Sequence, residues 1–246
     1  MKQEERIISA DRSVIPAADV ETLRELTDLT NAVKNLPGIE AIKFGLSLMI
    51  PYGVAGTVMN IRTVMGDDVK IIFDYQKGAN DIPAMGAKFA RQLKAAGVDA
   101  AIIFPFVGPA TQKAWTEALI GEGLYVITGG IMTHPEFLVS EGGYIADESV
   151  EKIYRYACQF GGHHFVVPGN KIFWVKRIRG WLDKELGEGN FVLYAPGFID
   201  QGGNITECGE AAGRQFHGIV GGGIYNAGSI EAMRSAATVC TKQILA

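Results

Sequence analysis

Residues 69–104 read VKIIFDYQKGANDIPAMGAKFARQLKAAGVDAAIIF. Val69 to Phe73 is a short apolar run closed by Asp74, and Ala100 to Phe104 is a second. Between them Ala84 to Ala96 carries Met85, Phe89 and Leu93 at helical spacing and stops at Gly97. Short runs rich in Ile, Val and Phe and bounded by turn residues are how strands buried on both faces read. The stretch is therefore a strand–helix–strand unit, which needs parallel strands and a right-handed crossover.

The same unit recurs in both directions. Strand-like runs fall at Arg6 to Ala10, Ile39 to Phe44, Leu124 to Thr128, His164 to Val167, Phe191 to Ala195 and Phe216 to Val220. Helical stretches alternate with them. Ala18 to Lys34 opens at an Asp19 cap, and Pro109 to Ile120 opens on a first-turn proline. Ser149 to Phe160, Lys171 to Leu186 and Ser229 to Leu245 are similar, Glu207 to Arg214 is short, and Ile50 to Met65 is weakened by Pro51, Gly53 and Gly56. Eight strands and eight helices in 246 residues, about 31 per unit, predict a single (β/α)8 barrel domain over residues 1–246, an α/β fold. The competing architecture is a doubly wound open sheet. It usually carries a Gly-rich turn after its first strand, where this chain has Ala10-Asp11-Arg12-Ser13.

Composition narrows the function. The chain is 48% hydrophobic and 20% charged, too apolar for a disordered protein. Its net charge of -4 argues against broad nucleic-acid binding. No apolar run is long enough to span a membrane, and the first residues, Met1 to Arg6, lack the apolar region of a secretion signal. Cys158, Cys208 and Cys240, an odd number at wide spacing, fit neither a disulfide framework nor a zinc site and suit a reducing cytoplasm.

In such a barrel the chemistry sits at the C-terminal ends of the strands. Those ends carry Asp11 after strand one, Lys43 on strand two, and Asp74, Lys77 and Asp81 after strand three. Strand five leads to Thr133-His134-Pro135, strand seven to Pro196-Gly197 and Gln201-Gly202-Gly203, and strand eight to Gly221-Gly222-Gly223. Opposite charges about 4 Å apart attract by about 4 kcal/mol at an effective dielectric near 20, so alternating Lys and Asp hold one another ionised. A purely structural ion-pair network capping the barrel is the bland reading of these charges. The glycines after strands seven and eight stand where this fold usually holds a phosphate on backbone N–H groups. His163-His164 and His217 read as structural, and His134 has no metal-ligand partner at suitable spacing.

These residues, taken in order, resemble the orotidine 5′-phosphate decarboxylase family. Ile42-Lys43-Phe44-Gly45 is similar to its Val-Lys-x-Gly, and Asp74 to Pro83 to its Asp-x-Lys-x-x-Asp-Ile-Pro. Thr133-His134-Pro135 is similar to its Ser-His-Pro, Pro196 to Gly203 to its Pro-Gly-Ile-x-x-Gln-Gly-Gly, and Val220 to Tyr225 to its Val-Gly-Arg-x-Ile-Tyr. The resemblance implies decarboxylation of orotidine 5′-monophosphate to uridine 5′-monophosphate without metal or organic cofactor. It implies Lys77 as proton donor, Asp74 facing the substrate carboxylate, Lys43 holding Asp74, Asp81 crossing to the other subunit of a homodimer, and Ile82 binding the substrate. It also implies Asp11 on ribose, Thr133 on the pyrimidine, and Pro196, Gln201, Gly202, Gly221 and Gly222 around the phosphate.

The chain departs from this pattern twice. Its charges are spaced Asp-x-x-Lys-x-x-x-Asp, and Gln76 takes the lysine's ordinary register. Side chains alternate along a strand, so a bulge at Tyr75-Gln76 is expected to re-aim Lys77 inward. The arginine expected after strand eight is replaced by Gly222, with Arg12 as the candidate to compensate and Arg214 at the wrong end of the barrel. Two other readings stay open. One is a magnesium-dependent hexulose-phosphate synthase or keto-gulonate-phosphate decarboxylase, in which an acid would stand where Lys43 does. The other is a barrel that binds a nucleotide or sugar phosphate without turning it over.

Overall fold

Eight parallel strands close into a barrel in chain order in the computed structural model, which describes residues 6–76 and 78–245. The strands are β1 (Arg12–Ala18), β2 (Ala41–Phe44), β3 (Lys70–Asp74), β4 (Ala100–Ile103), β5 (Tyr125–Gly129), β6 (His164–Val166), β7 (Val192–Ala195) and β8 (Phe216–Val220). The helices that alternate with them are α1 (Leu23–Val33), α2 (Leu46–Met65), α3 (Met85–Ala95), α4 (Pro109–Gly121), α5 (Asp147–Gln159), α6 (Ile172–Leu186) and α7 (Ile205–Ala212). After β8 come α8 (Gly222–Tyr225) and α9 (Ile230–Leu245). β1 pairs with β8 through Arg12↔Phe216 to Pro16↔Val220, which closes the ring and removes every sheet edge.

The two-residue period of a strand sorts its side chains into two cores. Ile15, Ala17, Ala41, Ile72, Ile102, Val166, Tyr194 and Ile219 fill the barrel interior, whereas Val14, Ile42, Phe44, Ile71 and Phe73 pack outward against the helices. The phase matters for function. Ala41 and Lys43 share the inward face of β2, and Ile72 and Asp74 that of β3.

Two expectations are corrected here. Arg6 to Ala10 is not the first strand. Ile7 and Ile8 are 1% and 0% exposed and belong to the barrel-interior cluster, so this segment plugs the N-terminal mouth. A short apolar run reads the same whether it pairs in a sheet or only fills a core. β1 lies further on, at Arg12–Ala18, disguised by Pro16. Asp19 is accordingly not the cap of α1. Thr22 is, accepting from Glu25 N–H while the Glu25 carboxylate accepts from the Thr22 N–H. The weakness read between Ile50 and Met65 takes the form of a break in α2 at Gly53, whose φ of 70° is not helical. No helix among the described residues is long and apolar enough to cross a membrane.

Candidate active site

A cavity of about 240 Å³ opens at the C-terminal ends of the strands. Ile102, Phe104, Val166 and Ile219 give it an apolar floor, and its polar lining includes Asp19, Lys43, Asp74, Gln76, Thr133, Asp200, Gln201 and Tyr225. The charges are ordered by the sheet. β1 and β2 pair at Ala17↔Lys43 and β2 and β3 at Lys43↔Ile72, so the inward positions one step further along β1 and β3 flank the lysine. Those positions are Asp19 and Asp74.

Lys43 Nζ donates to Asp74 Oδ2 at 2.7 Å and to Asp19 Oδ1 and Oδ2 at 3.2 and 3.3 Å. Its side chain is 7% exposed. Burial alone would depress the ammonium's pKa, but the neighbouring carboxylates of Asp74 and Asp19 outweigh it and hold the pKa above the ordinary lysine value. Lys43 is thus a fixed cation. Asp74 keeps its second oxygen, Oδ1, buried and without a hydrogen-bond partner among the described residues. A buried carboxylate oxygen with no donor is costly, and it is a place for a cation or a ligand group.

Beyond Asp74 the chain leaves the sheet. Gly78 N–H donates to Tyr75 O at 2.6 Å, so the extra length of the motif is taken up in a turn after β3 and not in a bulge within it. Tyr75 points outward and stacks on Phe73, at 5.7 Å and 9° between rings. Gln76 points inward and lines the cavity. Lys77 lies outside the described residues. Asn80 ties the loop to the end of β4: its amide donates to Phe104 O at 2.7 Å and its carbonyl accepts from Phe106 N–H at 3.0 Å.

Of the remaining residues singled out in the sequence, Thr133, Pro196, Gln201, Gly221 and Gly222 line the same cavity. Gly202 is exposed and stands outside its lining. Asp81 and Ile82 are exposed and outside it as well, their carbonyls accepting from Thr111 Oγ1 and Trp115 Nε1. Asp11 is at the other end of the barrel. It precedes β1, forms ion pairs with Arg6 and Arg214, and its carboxyl is held below the usual range by hydrogen bonds from Arg214 and Arg6. The acid at the correct end of β1 is Asp19, hidden because the run taken for the first strand ends eight residues before β1 does. Arg12 is also at the far end and donates to Gly209 O and Gly213 O at 3.2 and 3.0 Å, so it does not reach the cavity.

At the β8 end, a Cβ at Gly222 would collide with Asp200 Oδ2 and lie 2.9 Å from Asn226 Nδ2. The place of the expected arginine is therefore filled by a carboxylate and an amide. Asp200 and Tyr225 were not picked out from the sequence. Burial, with Asp19 and Asp200 nearby, raises the Tyr225 pKa and keeps its phenol neutral.

The ordered Asp19–Lys43–Asp74 row and the motif matches along the chain agree with a family-wide match. The pattern of the Orotidine 5′-phosphate decarboxylase / HUMPS family matches residues 12–236. The chain belongs to that family. Such a member is a carbon–carbon lyase. Among its relatives, the orotidine 5′-phosphate decarboxylase of Methanosarcina mazei is 28% identical over 216 residues, 88% of this chain and 89% of that one. That of Pyrococcus abyssi is 33% identical over 159 residues, 65% of this chain and 67% of that one. Among solved structures, the orotidine 5′-phosphate decarboxylase of Pyrococcus horikoshii OT3 superposes with a TM-score of 0.75 at 26% identity, covering 95% of this chain and 99% of that one. The Methanocaldococcus jannaschii enzyme, solved with the inhibitor BMP, shares the fold, with a TM-score of 0.79 at 22% identity over 95% of this chain and 98% of that one.

Proposed function

We propose that this chain is a decarboxylase of the orotidine type, removing carbon dioxide from the pyrimidine ring of orotidine 5′-monophosphate or of a compound with the same ring and ribose. The observation that carries this reading is the Asp19–Lys43–Asp74 row, with Asp74 Oδ1 given no hydrogen bond by the described residues. The substrate carboxylate lies toward Asp74. The bond from ring carbon to carboxylate breaks, carbon dioxide leaves, and the electron pair remains on the ring carbon. The Lys77 ammonium stabilises that developing charge and transfers a proton to the carbon, and solvent later reprotonates the amine. The match of Asp74 to Pro83 to the family's Asp-x-Lys-x-x-Asp-Ile-Pro supports Lys77 as the donor. Lys43 holds Asp74 in position, Asp19 accepts from and Lys43 donates to ribose hydroxyls, and Thr133 bonds the ring.

The reaction proceeds without a metal. Supporting this, an ammonium already occupies the space between the two carboxylates where a divalent ion would be bound. A homodimer with Asp81 reaching the partner's site completes the proposal.

The test is to follow the ultraviolet absorbance of orotidine 5′-monophosphate with purified protein, with and without chelator. Turnover is expected in both. Lys77→Ala is expected to lower kcat by about 1,000-fold with an unchanged circular dichroism spectrum. Near-normal turnover in that variant would clear Lys77, and a requirement for added magnesium would point to the magnesium-dependent lyases instead.

A further inference from the structure

We infer that the subsite at the C-terminal ends of β7 and β8 takes an uncharged, hydroxyl-bearing end of the substrate in place of a phosphate dianion, with Asp200 as the specificity-determining residue. The inference rests on the decarboxylase reading for the ring, and it changes what lies at the other end of the ligand.

Charge is the first argument. The described residues lining the cavity include the carboxylates of Asp19, Asp74 and Asp200 and the single ammonium of Lys43. That ammonium is already shared between Asp19 and Asp74. Asp200 makes no ion pair with any cation among the described residues. A phosphate placed there would meet a carboxylate with no cation among the described residues to compensate, and like charges in a confined, partly apolar site repel.

Hydrogen-bond chemistry is the second. A phosphate dianion offers acceptors only, and so does a carboxylate. A hydroxyl offers a donor to Asp200 and an acceptor to the Asn226 amide or the neutral Tyr225 phenol. The residues around Gly222 supply that complement. Space is the third. The collision of a Gly222 Cβ with Asp200 Oδ2 shows that this backbone position is fitted to the carboxylate, and the two arginines weighed from the sequence as replacements, Arg12 and Arg214, are committed at the opposite end.

The experiment gives the protein orotidine and orotidine 5′-monophosphate in parallel and reads kcat/KM for each, while calorimetry compares uridine with uridine 5′-monophosphate. Orotidine is expected to match or exceed its phosphate, and uridine to bind at least as tightly as its phosphate. Raising sodium chloride from about 20 to about 500 mM should raise the phosphate-to-nucleoside ratio, because salt screens the repulsion. Asp200→Asn should raise that ratio about tenfold, and Asp200→Ala with Gly222→Arg should raise it further. The single variant keeps the side-chain volume should the double variant fail to fold. A tenfold or greater preference of the native protein for orotidine 5′-monophosphate overturns the inference and leaves the decarboxylase reading standing. If neither compound is decarboxylated, that reading fails, and calorimetry still decides: uridine bound more tightly upholds the uncharged subsite, while its phosphate bound more tightly, or neither bound, overturns it.

Discussion

Lys43 is surrounded by carboxylates from both neighbouring strands while its own side chain is almost excluded from water. Its removal therefore leaves Asp74, whose side chain is 11% exposed, as a buried anion with no cation beside it among the described residues. Breaking one partner out of a buried pair typically costs about 3 kcal/mol or more. Lys43→Met is expected to lower the unfolding free energy by about that amount, measured in urea, and to reduce kcat/KM by at least about 100-fold. A variant of native stability would show that the row is not an electrostatic unit. At this scale the sequence made Lys43, Asp74, Thr133 and Gln201 legible, because each follows an apolar run whose end was read correctly. Asp19 was missed because Pro16 lacks the N–H that a paired strand residue usually supplies, so VIPAA was passed over as a strand.

The loop between β3 and α3 shows how an element can absorb a lengthened motif. Asn80 replaces part of the sheet's hydrogen bonding after Asp74 by bonding the backbone of Phe104 and Phe106, and Phe104 N–H in turn donates to Gly78 O at 3.2 Å. Ala79 sits there with φ of 64°, a conformation that side chains other than glycine adopt at a cost. The loop is thus held by its anchors more than by its own preferences. Asn80→Ala is expected to lower kcat about tenfold while shifting the thermal midpoint by only a few degrees, because two hydrogen bonds at a half-buried loop contribute about 1 kcal/mol each. If kcat were unchanged, the anchoring of this loop would have no part in catalysis. The sequence expectation of a bulge failed here for a physical reason: periodicity reports where a side chain would point if the strand continued, and β3 ends at Asp74.

Over the whole molecule, the barrel separates its chemistry by height. The cavity and its charges occupy the C-terminal end. The interior near the N-terminal end holds His164 against the Tyr194 hydroxyl at 3.1 Å and His217 against Ser13 Oγ at 2.8 Å. Burial lowers the pKa of both histidines to about 3, with the neighbouring imidazoles adding to the effect at His164 and Arg6 at His217. Above the unfolded value of 6.5 both states carry neutral rings and these residues impose no pH dependence. As pH falls from 6.5 toward 3 the unfolded chain binds protons that the native barrel refuses, so stability declines by as much as about 1.4 kcal/mol per pH unit for each histidine. Urea midpoints measured from pH 7.5 to 4.5 should fall steadily on the acid side. A flat profile through this range would mean that the native rings are protonated, contrary to their burial.

The repeating unit is written in the order of residues along the chain. The alternation of two-sided apolar runs with amphipathic helices requires parallel strands and crossovers, and eight such units close into a barrel whose chemistry faces one rim. Seven of the eight runs mark true strands, and Lys43, Asp74, Thr133, Pro196, Gln201, Gly221 and Gly222 at their ends line one cavity, whereas Asp81, Ile82 and Gly202 stand outside it and Asp11 lies at the far end of the barrel. It takes the closed barrel to make Arg6 to Ala10 a plug, to bring Asp19 and not Asp11 to Lys43, and to set Asp200 in the space beside Gly222. Local sequence sets hydrophobicity and period, which are short-range properties. Which end of the barrel a charge occupies, and which distant loop packs against a glycine, is set by strand register and chain closure, which only the assembled fold defines.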